Sequence, residues 1–162
     1  CKRPLIEVGQ PNLVGSSNGR VLIGNPGRTA ALECEAWLTI GLDPGDLIDG
    51  SYTVTPARFT PIDCMNLPWA RMRDDGSRMV SINIHPRGGP QAVDVFRLEP
   101  DGRLLLHSEK GLNPARAALR LDVDRPYRFS IAVTARNVVR TGQHTKDFLI
   151  VRRTTGLDFT TT

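Results

Sequence analysis

Residues 127–135 read Tyr-Arg-Phe-Ser-Ile-Ala-Val-Thr-Ala, with large apolar side chains alternating with polar or small ones. Tyr127, Phe129, Ile131, Val133 and Ala135 share one side, and Arg128, Ser130, Ala132 and Thr134 share the other. Strand side chains alternate between faces, so this stretch is a strand with one dry and one wetter face. A sheet with one wet face is usually antiparallel, and its dry face needs a second layer. The pattern predicts an all-β chain folded as a two-layer antiparallel β-sandwich. It names no reaction.

Turn signals divide the rest of the chain into similar pieces. Strands are expected over 5–8, 20–24, 30–40, 51–55, 69–73, 79–84, 92–98, 103–106, 119–123 and 146–153. Asp74-Asp75-Gly76-Ser77 and Glu99-Pro100-Asp101-Gly102 each read as the turn of a hairpin. Pro56, Pro61 and Pro68 make 56–68 an edge or irregular segment. The one helix candidate is 109–118, where Asn113 would cap and Pro114 would open a turn or two. Many short strands at regular spacing are the all-β signature. A chain of 162 residues is read as one domain over 1–162, long enough to bury a core without staples.

Charge excludes some partners. The net charge is +4, and Arg58, Arg71, Arg73, Arg78, Arg87, Arg97 and Arg103 are scattered among acids. With few aromatics to stack bases, this is a solvated surface and not a nucleic-acid stripe. No run of about 18 apolar residues occurs. The chain begins Cys1-Lys2-Arg3-Pro4. A Cys with two cations suits the cytoplasmic flank of a transmembrane helix, a first Cys suits a bacterial lipoprotein, and a cut at a domain boundary would explain either. A membrane anchor upstream of Cys1 is therefore one expectation.

Residues 121–137 run Leu-Asp-Val-Asp-Arg-Pro-Tyr-Arg-Phe-Ser-Ile-Ala-Val-Thr-Ala-Arg-Asn. They resemble the E–F corner and F strand of immunoglobulin-like and fibronectin type III domains, where a Tyr opens the strand and Ala-x-Asn closes it. The resemblance implies that Tyr127 buries its ring while its hydroxyl bonds backbone at the corner. It also implies a hairpin through Gly142 to a G strand at Phe148 to Arg153. Residues 21–30, Val-Leu-Ile-Gly-Asn-Pro-Gly-Arg-Thr-Ala, are similar to the Asn-x-Gly turn of bacterial extracytoplasmic or membrane-anchored sandwich domains. The chain lacks a Cys two residues after Tyr127, and its length implies an enlarged middle around residues 42 to 90.

Candidate chemistry is sparse. The strand over 30–40 sets Leu32, Cys34, Ala36, Leu38 and Ile40 on one face, and Glu33, Glu35, Trp37 and Thr39 on the other. Two glutamates on one face keep it wet or against a partner. Trp37 beside Glu33 and Glu35 is the candidate partner-binding site for a protein or a sugar; the alternative is a tryptophan packed under an extra loop. Asp43, Asp46 and Asp49 could wrap calcium, or form only a polar turn, since the EF-hand spacing is absent. Asn25-Pro26-Gly27-Arg28-Thr29 and Arg87-Gly88-Gly89 could cradle an anion through backbone N–H groups, or be ordinary turns.

No other pattern points to a reaction. His85, His107 and His144 lie apart, with no metal-ligand spacing, and no Gly-x-Ser-x-Gly occurs. Cys1, Cys34 and Cys64 make an odd set; Cys34 reads as a small buried hydrophobe, and a Cys34–Cys64 bridge is open in an oxidising compartment. The chain is thus expected to be a non-catalytic interaction or ligand-binding module of a larger, membrane-anchored bacterial protein, with no cofactor. The alternatives are a carbohydrate-binding or calcium-dependent adhesive module, a viral jelly-roll coat or tail domain, and a hydrolase on a sandwich scaffold.

Overall fold

A computed structural model describes residues 3–15, 17–41, 65–71, 73–108, 111–112, 118–138 and 144–162. Among them run twelve strands: β1 (Glu7–Val14), β2 (Asn18–Gly24), β3 (Ala31–Gly41), β4 (Met65–Leu67), β5 (Ile82–Ile84), β6 (Gln91–Leu98), β7 (Arg103–Ser108), β8 (Gly111–Leu112), β9 (Ala118–Arg120), β10 (Pro126–Thr134), β11 (Thr145–Arg153) and β12 (Gly156–Thr161). Every strand pairing is antiparallel. One sheet has the order β1-β2-β6-β7, with β8 and β9 both on β7; the other has β12-β11-β10-β3, with β4 and β5 both on β3. The fold is the all-β, two-sheet sandwich that the alternation over 127–135 predicts.

The core lies between the sheets. Tyr127, Phe129, Ile131 and Val133 of β10 are buried, as their alternation requires. They meet Val21, Ile23, Val93, Val95, Leu104 and Leu106 of the first sheet in one hydrophobic cluster. Phe96 of β6 and Phe159 of β12 close it from opposite sheets, edge to face at 5.1 Å between ring centres. The partner of β10 on its other side is β3, with Ala132 opposite Trp37 and Thr134 opposite Glu35.

Several expectations change in detail. β1 does not end at Gly9; it continues to Val14 through an irregularity between Val8 and Pro11. The strand lies at a sheet edge, where a proline's missing N–H costs no ladder bond. The helix expected over 109–118 gives way at its ends to strand, since Gly111–Leu112 form β8 and Ala118 opens β9, while 113–117 lie outside the described residues. The expected strand at 51–55 also lies outside them. β12 is an addition: Leu157 and Phe159 turn inward while Asp158 and Thr160 face out. Both predicted hairpin turns form, with Gly76 and Gly102 at φ of 82° and 88°.

The chain changes sheets within six residues. Met65–Leu67 pair with β3, and then the Pro68 carbonyl accepts from the Asp94 N–H (3.1 Å) and the Ala70 N–H donates to the Ala92 carbonyl (2.8 Å) on β6. Trp69 sits at this crossing, fully buried. Its indole N–H reaches the Cys34 carbonyl at 3.1 Å and the Val80 carbonyl at 3.3 Å. Such a buried, satisfied tryptophan is a core residue.

Candidate functional site

The expected site is on the outer face of β3. Regular pairing with β10 sets Glu35 and Trp37 on the same side, away from buried Cys34, Ala36 and Leu38. Trp37 is half-buried, flanked across the strands by Ala132 and Asn66. Every other described aromatic is buried, so Trp37 alone among them offers a ring to the surface. The Asn66 side-chain oxygen beside it is buried with no hydrogen-bond partner.

Glu33 is placed differently from its neighbours. Ala31 pairs with Ile84 and Cys34 with Ile82, so the ladder between β3 and β5 is irregular at Leu32 and Glu33. Glu33 adopts a left-handed φ of 52°. Its N–H donates to the Asn83 side chain (2.9 Å), and its exposed carboxylate pairs with Arg136 at 3.5 Å. Asn137 holds this irregular edge against the end of β10: its amide accepts from the Leu32 N–H (2.9 Å) and donates to the Ala30 carbonyl (2.9 Å). The irregularity corrects the strict alternation expected over 30–40, since Ala31 is buried and Leu32 is only partly so.

The metal and thiol expectations resolve separately. Asp43, Asp46 and Asp49 lie outside the described residues, and among the described ones no group of three or more His, Cys, Asp or Glu could hold a metal ion. Cys34 is a buried free thiol, and Cys64 lies outside the described residues. Burial pushes the thiol up to about 11, which keeps it protonated and unreactive at neutral pH.

A second cluster was not foreseen. Asp94 on β6 is 3% exposed and lies opposite Arg20 of β2. It accepts from the Arg20 Nε at 2.5 Å and from the Arg78 Nη1. Buried His107 on β7 feels this group. Burial holds its imidazole below the usual range; the Asp94 charge opposes that, and the Arg78, Arg97 and Arg20 charges add to it. The available signal was a lone carboxylate inside the apolar run Val93-Asp94-Val95-Phe96, which requires a cation.

At one end of the sandwich the two loops expected to cradle anions come together. Gly27, Arg28, Pro86 and Arg87 line a single pocket of about 500 Å³. Asn25, 6% exposed, ties the loops: its amide donates to the Thr29 and Ile84 carbonyls, both at 2.8 Å, and accepts from the Gly27 N–H at 3.0 Å. Three of the backbone donors are already committed. Gly27 bonds Asn25, the Arg28 N–H points to the Arg3 carbonyl (3.5 Å), and the Gly88 N–H bonds the His85 carbonyl (3.2 Å).

Compared with known proteins, the chain matches no family model, no curated protein and no solved structure.

Proposed function

We propose that the chain is a non-catalytic recognition module with an immunoglobulin-like arrangement, and that it binds a protein or a small ligand on the outer face of β3 and β10. The observation that carries this is Trp37, the one described aromatic not buried, on a sheet face beside Glu35. An aromatic with an apolar body and a polar N–H is the side chain most favoured at the centre of a binding surface.

The corner before β10 supports the immunoglobulin-like reading. Tyr127 is 3% exposed, and its hydroxyl accepts from the Asp122 N–H at 3.0 Å. This ties the corner to the strand it opens, as the tyrosine corner does in that superfamily. The order β11-β10-β3 follows the G-F-C order of such domains, and β1-β2-β6 follows A-B-E. One connection departs: β7, in the place of strand D, follows β6 in the chain and does not precede it.

The test is site-specific photocrosslinking in cells producing the full-length protein. A benzophenone side chain at Thr134, beside Glu35, should give a discrete adduct that Trp37→Ala removes. The same group at Leu22 on the other sheet should give none. Adducts of equal yield from both faces, or an adduct indifferent to Trp37→Ala, would overturn the proposal.

A further inference from the structure

We infer that the pocket between the 25–29 and 85–89 loops is a binding site for a phosphoryl group on a small molecule. It is separate from the β3–β10 face. Two arginines, Arg28 and Arg87, line one pocket, with no acidic residue among the described lining. Neither guanidinium takes part in a salt bridge or a side-chain hydrogen bond among the described residues. The contrast lies in the pocket beside Pro100 and Gly156, where Arg97 is paired with Glu99 and Arg153 with Asp124 and Asp158. There the arginines hold the surface together; at the 25–29 and 85–89 loops no described acid pairs with them.

The ligand class follows from charge and shape. A guanidinium presents a planar fork of N–H donors that matches two oxygens at once. Two forks on one pocket suit a group with three terminal oxygens and more than one negative charge, which a phosphate monoester has and a carboxylate lacks. A pocket of about 500 Å³ is large for a bare ion and within the range of small-molecule sites, so the ester's organic part has room. The binding groups are the arginine side chains and not a backbone nest, because the Gly27, Arg28 and Gly88 N–H groups are already directed to protein acceptors. Asn25 holds the two loops in one geometry, so little ordering remains for the ligand to impose.

The experiment is an NMR titration of backbone amides with glycerol phosphate at low ionic strength, with acetate in parallel. Saturable shifts are expected at Gly27, Arg28, Arg87 and Gly88, with a weaker response to acetate. Arg28→Gln and Arg87→Gln should each weaken binding about tenfold. Arg87→Lys, which keeps the charge but not the fork, should fall between, and Arg97→Gln should change nothing. A second arm uses phosphatidylcholine vesicles containing phosphatidic acid. Arg28-dependent sedimentation with them would assign the phosphoryl group to a lipid, and glycerol phosphate binding without sedimentation would assign it to a soluble ester. Non-saturating shifts with no sedimentation, equal binding of acetate, or unchanged affinity in folded Arg28→Gln and Arg87→Gln would overturn the inference.

Discussion

Asp94 shows how one residue can organise a sheet face. A carboxylate 3% exposed is tolerable only with its charge matched, and Arg20 and Arg78, both upstream in sequence, supply the match. Asp94→Asn leaves both guanidiniums without a counter-charge. Breaking a wholly buried pair costs about 3–5 kcal/mol, but Arg20 and Arg78 keep 36% and 26% of their side-chain surface in water. Urea unfolding should therefore show a loss of about 2–3 kcal/mol. A change within experimental error would mean that the pair is solvated and carries no weight.

His107 in the same cluster makes stability depend on pH. Its folded-state affinity for a proton is lowered, mainly by burial, whereas in the unfolded chain it titrates near ~6.5. Below that value the unfolded state binds more protons than the folded one, so this contribution is full above ~6.5 and is lost as pH falls toward the folded value. Melting temperature should drop across this window, and His107→Gln should flatten the drop. An identical pH profile in the variant would contradict the assignment.

At the scale of elements, β6 carries a feature that alternation could not announce. Gly19 pairs with Phe96 and Arg20 with Asp94, so Val95 is an extra residue, and Val95 and Phe96 both enter the core in succession. Gly19 permits this, because a Cβ there would fall on the Phe96 ring. Gly19→Ala should cost about 1–3 kcal/mol in unfolding free energy. Adding Phe96→Leu should recover part of that loss, since the two changes share one space. Additive losses would place the strain elsewhere.

The same bulge explains what was legible in the sequence and what was not. β10 and β11 are regular along their length, so the strands expected at 127–135 and 146–153 are found nearly as read. Where an extra residue enters, as at Val95 or at Leu32–Glu33, the period breaks and facing must be fixed by the neighbouring strand. β12 escaped notice because Leu157 and Phe159 offer only two apolar positions, and their burial depends on a hairpin with β11. Asp94 was missed for a related reason: its partners come from residues 20 and 78, distant in sequence and near only once the sheet forms.

For the whole molecule, the alternation over 127–135 implied a sandwich, and the buried faces of both sheets meet in one core. What that pattern left open was which outward face has work to do. Trp37 separates the faces, because a tryptophan half in water is not needed for the core. Trp69 is the internal comparison, fully buried and hydrogen-bonded at the sheet crossing. The chain has only these two tryptophans, so emission excited selectively in tryptophan reports on both.

The most direct test of the account is acrylamide quenching of tryptophan emission in the folded protein and in Trp37→Phe. The account predicts one accessible and one shielded population in the parent, with the accessible one gone in Trp37→Phe and a shielded, blue-shifted emission remaining from Trp69. A parent in which both tryptophans are shielded, or a variant that keeps the quenchable emission, would contradict an open recognition face on β3 and β10.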